Sequence, residues 1–270
     1  MTLIAVKVLL APSFVVGASL AARRFGARVG GLVAGLPVVA GPILLAYALA
    51  HGRGFAANAA AGTLLGLVSL IAFVVVYARL APRFFWGASM LAGWLVFIAL
   101  TAVFSGVHVP AQLALPLALA ALTAGLVFLL PRAPSLPHIP PSHPSWDLPL
   151  RAGCALALVL GLTAVAGWLG PQLSGLLAPF PIIATVLATF THVQRGTGEL
   201  VGLLRGMVGG FAAFALFFFT LAVTLRHMPT GAAFALATSL ALLTQGGALV
   251  LVSRRSAPEA LPLLAGERAR

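Results

Sequence analysis

The chain predicts an all-α integral membrane protein built as an inverted repeat, and three observations carry that expectation. Of its 270 residues 61% are hydrophobic and only 7% charged, with a mean hydropathy of +1.11, which leaves too little polar surface to coat a soluble domain of this length. Apolar runs of about 20 residues recur along it, the length that crosses a hydrocarbon core about 30 Å thick at a rise of about 1.5 Å per residue. Finally, the stretch GLVAGLPVVAGP from Gly31 to Pro42 returns in altered form as GLLAPFPIIATV from Gly175 to Val186.

Nine spans are expected, at residues 3–22, 28–50, 55–79, 84–105, 110–130, 149–169, 172–193, 199–225 and 230–253. The first carries Ser19 and Ala21 at the spacing of a signal-peptide cleavage site. It also aligns with a later internal span, which argues that it is a helix of the fold. Most connections are a few residues long and rich in Gly, Pro, Arg or His, as tight turns at a membrane surface should be. Residues 131–149 differ: Pro131, Pro134, Pro137, Pro140, Pro141, Pro144 and Pro149 make that segment an extended, stiff linker.

The linker separates two copies. A shift of 144 positions pairs Lys7 with Arg151, Gly26 with Gly170, Gly31 with Gly175, Pro37 with Pro181, Ala40 with Ala184, Gly52 with Gly196, Gly62 with Gly206, Gly66 with Gly210 and Phe73 with Phe217, without a gap. Residues 1–130 then form a first repeat of five helices, 150–253 a second of four, and 254–270 a polar tail. Five spans before the second copy is an odd number, so the copies enter the bilayer from opposite sides, the plan of many secondary transporters.

Charge counting tests that parity. With the N-terminus outside, the inner side carries Arg23, Arg24, Arg28, Arg79, Arg83, Arg132, Arg151, Arg195, Arg205, Arg254, Arg255, Arg268 and Arg270, and the outer side Lys7, Arg53 and Arg226. That asymmetry obeys the positive-inside rule. It predicts a multi-pass protein of a bacterial-type cytoplasmic (inner) membrane, N-terminus outside and C-terminus inside. The net charge of +12 comes as scattered residues with no basic face or aromatic platform, so nucleic acid is not an expected partner.

The candidate site follows from the prolines. A proline inside a helix removes a donor and clashes with the preceding turn, at about 3 kcal/mol or more. At membrane depth such a break persists where neighbouring helices or a cavity satisfy the freed groups. A kink that only improves packing would also use proline. The recurrence of Pro37 and Pro42 as Pro179 and Pro181, with Gly35 and Gly41 beside the first pair, points instead to broken spans 2 and 7 meeting near the midplane around a substrate. The expected substrate-contacting residues are Gly35, Pro37, Gly41, Pro42, Pro179, Pro181, Thr185 and Thr189.

Gating or coupling residues are sought among rare ionisable groups. The acids are Asp147, Glu199, Glu259 and Glu267. Asp147 is expected in the linker, leaving Glu199 beside a span, either favouring a positive helix end or pairing with Arg195 or Arg205. Arg205 could snorkel to the surface or hold an anionic substrate. His192 is either an interfacial residue or a proton-linked group. Asn58, Thr63, Tyr47, Thr244 and Gln245 could line a cavity or bond between helices.

Gly62-xxx-Gly66 and Gly206-xxx-Gly210 read as close-packing faces, and Cys154 as a small core residue. His51, His138 and His143 lack the neighbours of a metal site, and no phosphate loop or nucleophile motif is present. Neither an enzyme nor a cofactor is expected.

In general plan the chain resembles secondary carriers with five-helix inverted repeats and crossed broken helices, such as the bile-acid and sodium symporter family and the antiholin-like membrane proteins. The resemblance implies alternating access of one helix group against another; it carries over no site residues. The expected function is a secondary transporter or exporter of a small solute, with the lipid bilayer and that solute as partners and a homodimer left open. A non-transporting multi-span protein that assists assembly, binds lipid or serves as a partner subunit is the alternative.

Overall fold

A computed structural model describes residues 2–107, 109–131, 144–166 and 178–256. Among them every regular element is helical: α1 Thr2–Phe25, α2 Ala27–Ala34, α3 Ala40–His51, α4 Arg53–Leu80, α5 Trp86–Ser105, α6 Ala111–Ala124, α7 Asp147–Ala166, α8 Ile182–Thr224 and α9 Thr230–Ser256. A π-helical turn, Gly125–Leu129, extends α6. Among the described residues five helices are long and apolar enough to cross a bilayer: Arg53–Leu80, Trp86–Ser105, Ala111–Leu129, Ile182–Thr224 and Thr230–Val252.

Burial sorts these helices into a centre and a jacket. In their most apolar windows α4 and α8 are 67% and 72% buried, whereas α5, α6 and α9 are each 22% buried. The jacket turns large apolar side chains outward, among them Leu91, Leu95 and Ile98 on α5, Leu113 on α6, and Leu242 and Leu243 on α9. A water-facing surface of that kind would be an aggregation liability, and a lipid-facing one is ordinary.

One close approach holds the centre together. Along α2 and α8 the backbones touch: a Cβ added at Gly31 would strike the carbonyl of Leu203, one at Gly206 the carbonyl of Arg28, and one at Gly210 the carbonyl of Leu32. Such contact replaces the hydrophobic driving force that lipid does not supply. It realises the expected packing face of Gly206 and Gly210. Its partner is the Gly31–Gly35 face of α2.

Three joints between helices need glycine. Gly26, Gly52 and Gly196 have φ/ψ of 91/159°, 88/166° and 77/−177°, a region open essentially to glycine alone. Each lets a helix stop and the next begin at once with a change of direction.

The last of these corrects the expected connection between spans 7 and 8. No loop occupies residues 194–198; α8 runs through, bent at Gly196 into a first limb and a second limb. The expected span 28–50 is two short helices with residues 35–39 between them. Span 149–169 begins earlier, at Asp147, so the linker's last residues are already helical, and α9 continues through Ser256 into the expected tail. Residues 132–143 of the linker, 172–177 of the seventh span and 257–270 of the tail lie outside the described residues.

Candidate functional site

Each proline break is a tight turn of one kind. Val38 donates to the carbonyl of Leu36 at 2.9 Å, and Ile182 to that of Phe180 at 2.7 Å. These two-residue hydrogen bonds define inverse γ-turns, and Pro181 at φ −74°, ψ 48° sits near their ideal geometry. Proline favours the turn because its ring holds φ near −65°. The proline carbonyl then starts the following helix: Gly41 donates to Pro37 at 2.9 Å and Thr185 to Pro181 at 2.8 Å.

Between the turns lies a cavity of about 100 Å3, lined from the first by Gly35, Leu36, Pro37 and Val39, and from the second by Pro179, Phe180 and Pro181. Ile43 and Tyr47 of α3, Val159 of α7, and Met207, Phe211 and Phe214 of α8 complete it. Tyr47 is the single lining side chain with a polar atom. Its ring packs edge-on against Phe55, with centroids 5.7 Å apart. Phe180 forms the opposite wall, packed against Trp94 at 5.7 Å and Phe97 at 5.4 Å.

Four of the eight expected substrate-contacting residues, Gly35, Pro37, Pro179 and Pro181, therefore share one cavity. The others do not line it. Gly41 faces the ring of Phe217, and Pro42 stands one residue further along α3. Thr185 accepts a hydrogen bond from Trp94 Nε1 at 3.0 Å, and Thr189 reaches Met90 Sδ at 3.9 Å. Both threonines thus tie α8 to α5. Phe211 and Phe214 line the cavity as well; the sequence carried no sign of it beyond their helical spacing on a phenylalanine-rich segment.

A second cluster gathers at the end of the molecule that holds Arg23 and Gly196. Asp147, 1% exposed, corrects its expected place in a solvated linker. Its carboxylate accepts from Arg23 at 2.5 Å, Arg151 Nε at 2.9 Å and Gln194 Nε2 at 2.7 Å. Arg151 donates in turn to Gln194 Oε1 at 3.1 Å and stacks over Phe190 at 4.8 Å. One acid thereby joins α1, α7 and the first limb of α8. The signal available in the sequence was the i,i+4 spacing of Asp147 and Arg151.

The three expected gating or coupling residues occupy separate positions. His192 Nδ1 lies 3.5 Å from the hydroxyl of Tyr77. Glu199 meets Arg195 at 4.0 Å, one turn apart on α8. Arg205 donates to the carbonyls of Leu126, Leu130 and Pro131 at 3.0–3.2 Å, so it caps the end of α6. Arg79 serves the same end through Phe128 and Leu129. Cations there complement the negative pole of a helix and satisfy its last carbonyls. Among the described residues no group of three His, Cys, Asp or Glu side chains could hold a metal ion.

Comparison with family models, curated proteins and solved structures finds no match for this chain.

Proposed function

We propose that this chain is a secondary transporter or exporter of a small solute, working by alternating access around its two proline turns. The observation that carries the proposal is the cavity lying between Pro37 and Pro181. Broken spans facing each other in corresponding positions are where such carriers bind. Its volume, about 100 Å3, is smaller than the cavity of about 150 Å3 that takes benzene in an engineered protein. The solute is accordingly small, with an apolar body.

Several geometries support the two-copy plan. Under the shift of 144, Leu36–Val38 corresponds to Phe180–Ile182, the helix-starting bond of Gly41 to that of Thr185, and the joint at Gly52 to that at Gly196. The helices that follow, α4 and the second limb of α8, run antiparallel. At one end Arg226, just beyond α8, bonds Asn58 near the start of α4 at 2.7 Å. At the other, Arg79 near the end of α4 and Arg205 early in the second limb both cap α6. That antiparallel relation supports reading the chain as nine spans in a 5+4 inverted arrangement; the arginine asymmetry supports a bacterial-type inner membrane with the N-terminus outside. The parts that would move are those joined by glycine at Gly52 and Gly196. The Asp147 cluster would hold one end shut.

The lining favours one competitor, a non-transporting membrane protein, because no charged side chain reaches the cavity. Flux separates the two. Full-length chain in proteoliposomes should move one or more small apolar or weakly polar solutes, and Ile43→Trp, which fills the cavity, should abolish that flux while the protein stays folded. Absence of flux across a broad solute panel, or flux indifferent to Ile43→Trp, would overturn the proposal.

A further inference from the structure

A larger cavity lies at the opposite end of the molecule from Asp147. It measures about 920 Å3 and opens between the start of α4, the turn joining α5 to α6, and the end of α8. That volume is in the range that encloses a drug-sized ligand. Its wall changes character along its length. Along α4 toward the molecule's centre it is apolar, with Ala61 and Leu65; toward the end the apolar Phe55, Phe104, Val107 and Val223 stand beside Asn58, Gln112, Arg226 and His227. Gly62 belongs to the apolar part, and a Cβ added there would meet nothing within 4 Å. Its expected role as a packing face is therefore replaced by an open one.

Among the described residues no acid pairs with the charge at the mouth. Arg226 bonds the neutral Asn58, while the ion pairs of Asp147 and Glu199 are made at the other end with Arg23, Arg151 and Arg195. An exposed guanidinium above a long apolar wall complements one ligand chemistry, an anionic head on an alkyl chain.

We propose that this second cavity binds an anionic amphiphile, with its head on Arg226 and its chain along Gly62, Leu65 and Val223. The ligand could be a membrane phospholipid or a free single-chain amphiphile; the chemistry is shared. The inference is independent of flux, since it concerns a different cavity and needs no transport.

Native mass spectrometry of the full-length chain, released from detergent micelles, tests it with defined probes. Dioleoylphosphatidylglycerol is compared with dioleoylphosphatidylcholine, and dodecyl phosphate with dodecyl maltoside. The wild-type chain should retain an anionic probe about tenfold or more over its partner, the size of one charge-assisted hydrogen bond. Arg226→Gln should bring that ratio close to one. Gly62→Leu, whose Cβ would meet nothing within 4 Å and whose side chain would take up space in the apolar part, should lower retention of the anionic probe by a similar factor at unchanged thermal stability. Arg53→Gln is the control: Arg53 stands at the same end and donates to the carbonyl of Met228, outside this cavity, and its loss should change nothing. Preference for phosphatidylglycerol assigns the site to a membrane lipid, and preference for dodecyl phosphate to a free amphiphile. Equal retention of charged and uncharged probes, a ratio unmoved by Arg226→Gln, or retention unmoved by Gly62→Leu would overturn the proposal.

Discussion

Replacing Asp147 by Asn keeps the shape of a side chain that is 1% exposed and removes the charge on which Arg23 and Arg151 converge. Arg151, its own side chain 5% exposed, would retain only neutral partners: the oxygen of the new amide, Gln194 Oε1 at 3.1 Å and the face of Phe190. Neither neutralises a buried guanidinium. Breaking a buried pair on one side costs about 3–5 kcal/mol, a factor of roughly 150 to 5,000 in the folded population. Glu199→Gln provides the internal contrast. Its partner Arg195 is 4.0 Å away, beyond hydrogen-bonding distance, so its loss should cost clearly less than that of Asp147, which accepts three hydrogen bonds. Unfolding titrations in mixed micelles, followed by far-ultraviolet circular dichroism, measure both. A double variant, Asp147→Leu with Arg151→Met, should recover part of the loss, because the more deeply buried guanidinium goes with its acid and only the partly exposed Arg23 is left without one. Equal costs for Asp147→Asn and Glu199→Gln, or a double variant worse than the single, would refute the view that this cluster is an interdependent buried network.

Three further outcomes follow from the packing. Gly31→Ala and Gly206→Ala each drive a methyl into a backbone carbonyl across the α2–α8 contact, and each should destabilise by about 1–3 kcal/mol or more in the same titration; values near zero would mean the helices do not touch there. Gly52→Ala and Gly196→Ala force alanine to φ 88° and 77° and should cost about 1–3 kcal/mol each. Gly54→Ala, in open space next to the first joint, should be neutral or slightly stabilising, and equal effects at all three sites would remove the case for strained joints. Thr185→Val deletes the acceptor of Trp94 and should cost about 1 kcal/mol, with a shift in tryptophan emission; if emission is unchanged, Trp94 does not donate there.

Helix placement was legible because it depends on local apolar length, and the bounds of α4, α5 and α9 fall within a few residues of the expected spans at their membrane-crossing cores. The turn at Pro37 was legible too, since proline's missing donor and fixed φ act on its own neighbours. What the sequence concealed depends on neighbours distant in the chain. Asp147 looked like linker because six prolines precede it and a seventh follows, whereas its burial is decided by Arg23, 124 residues away. Thr185 and Thr189 sit beside a cavity-lining turn but face α5, a matter of helix rotation. Gly62 and Gly206 share one motif, yet one faces a cavity and the other the backbone of α2. Only the partner distinguishes them.

The central claim, two halves inserted upside down with their proline turns facing each other, is tested most directly by the sidedness of equivalent residues. Arg83 and His227 differ by the repeat shift and are both exposed in turns, after α4 and after α8. In a background with Cys154→Ser, Arg83→Cys and His227→Cys would be labelled with a membrane-impermeant maleimide on sealed cells and on inverted vesicles. The account predicts that His227→Cys reacts only from outside and Arg83→Cys only from the cytoplasmic face. Labelling of both from the same face would contradict it.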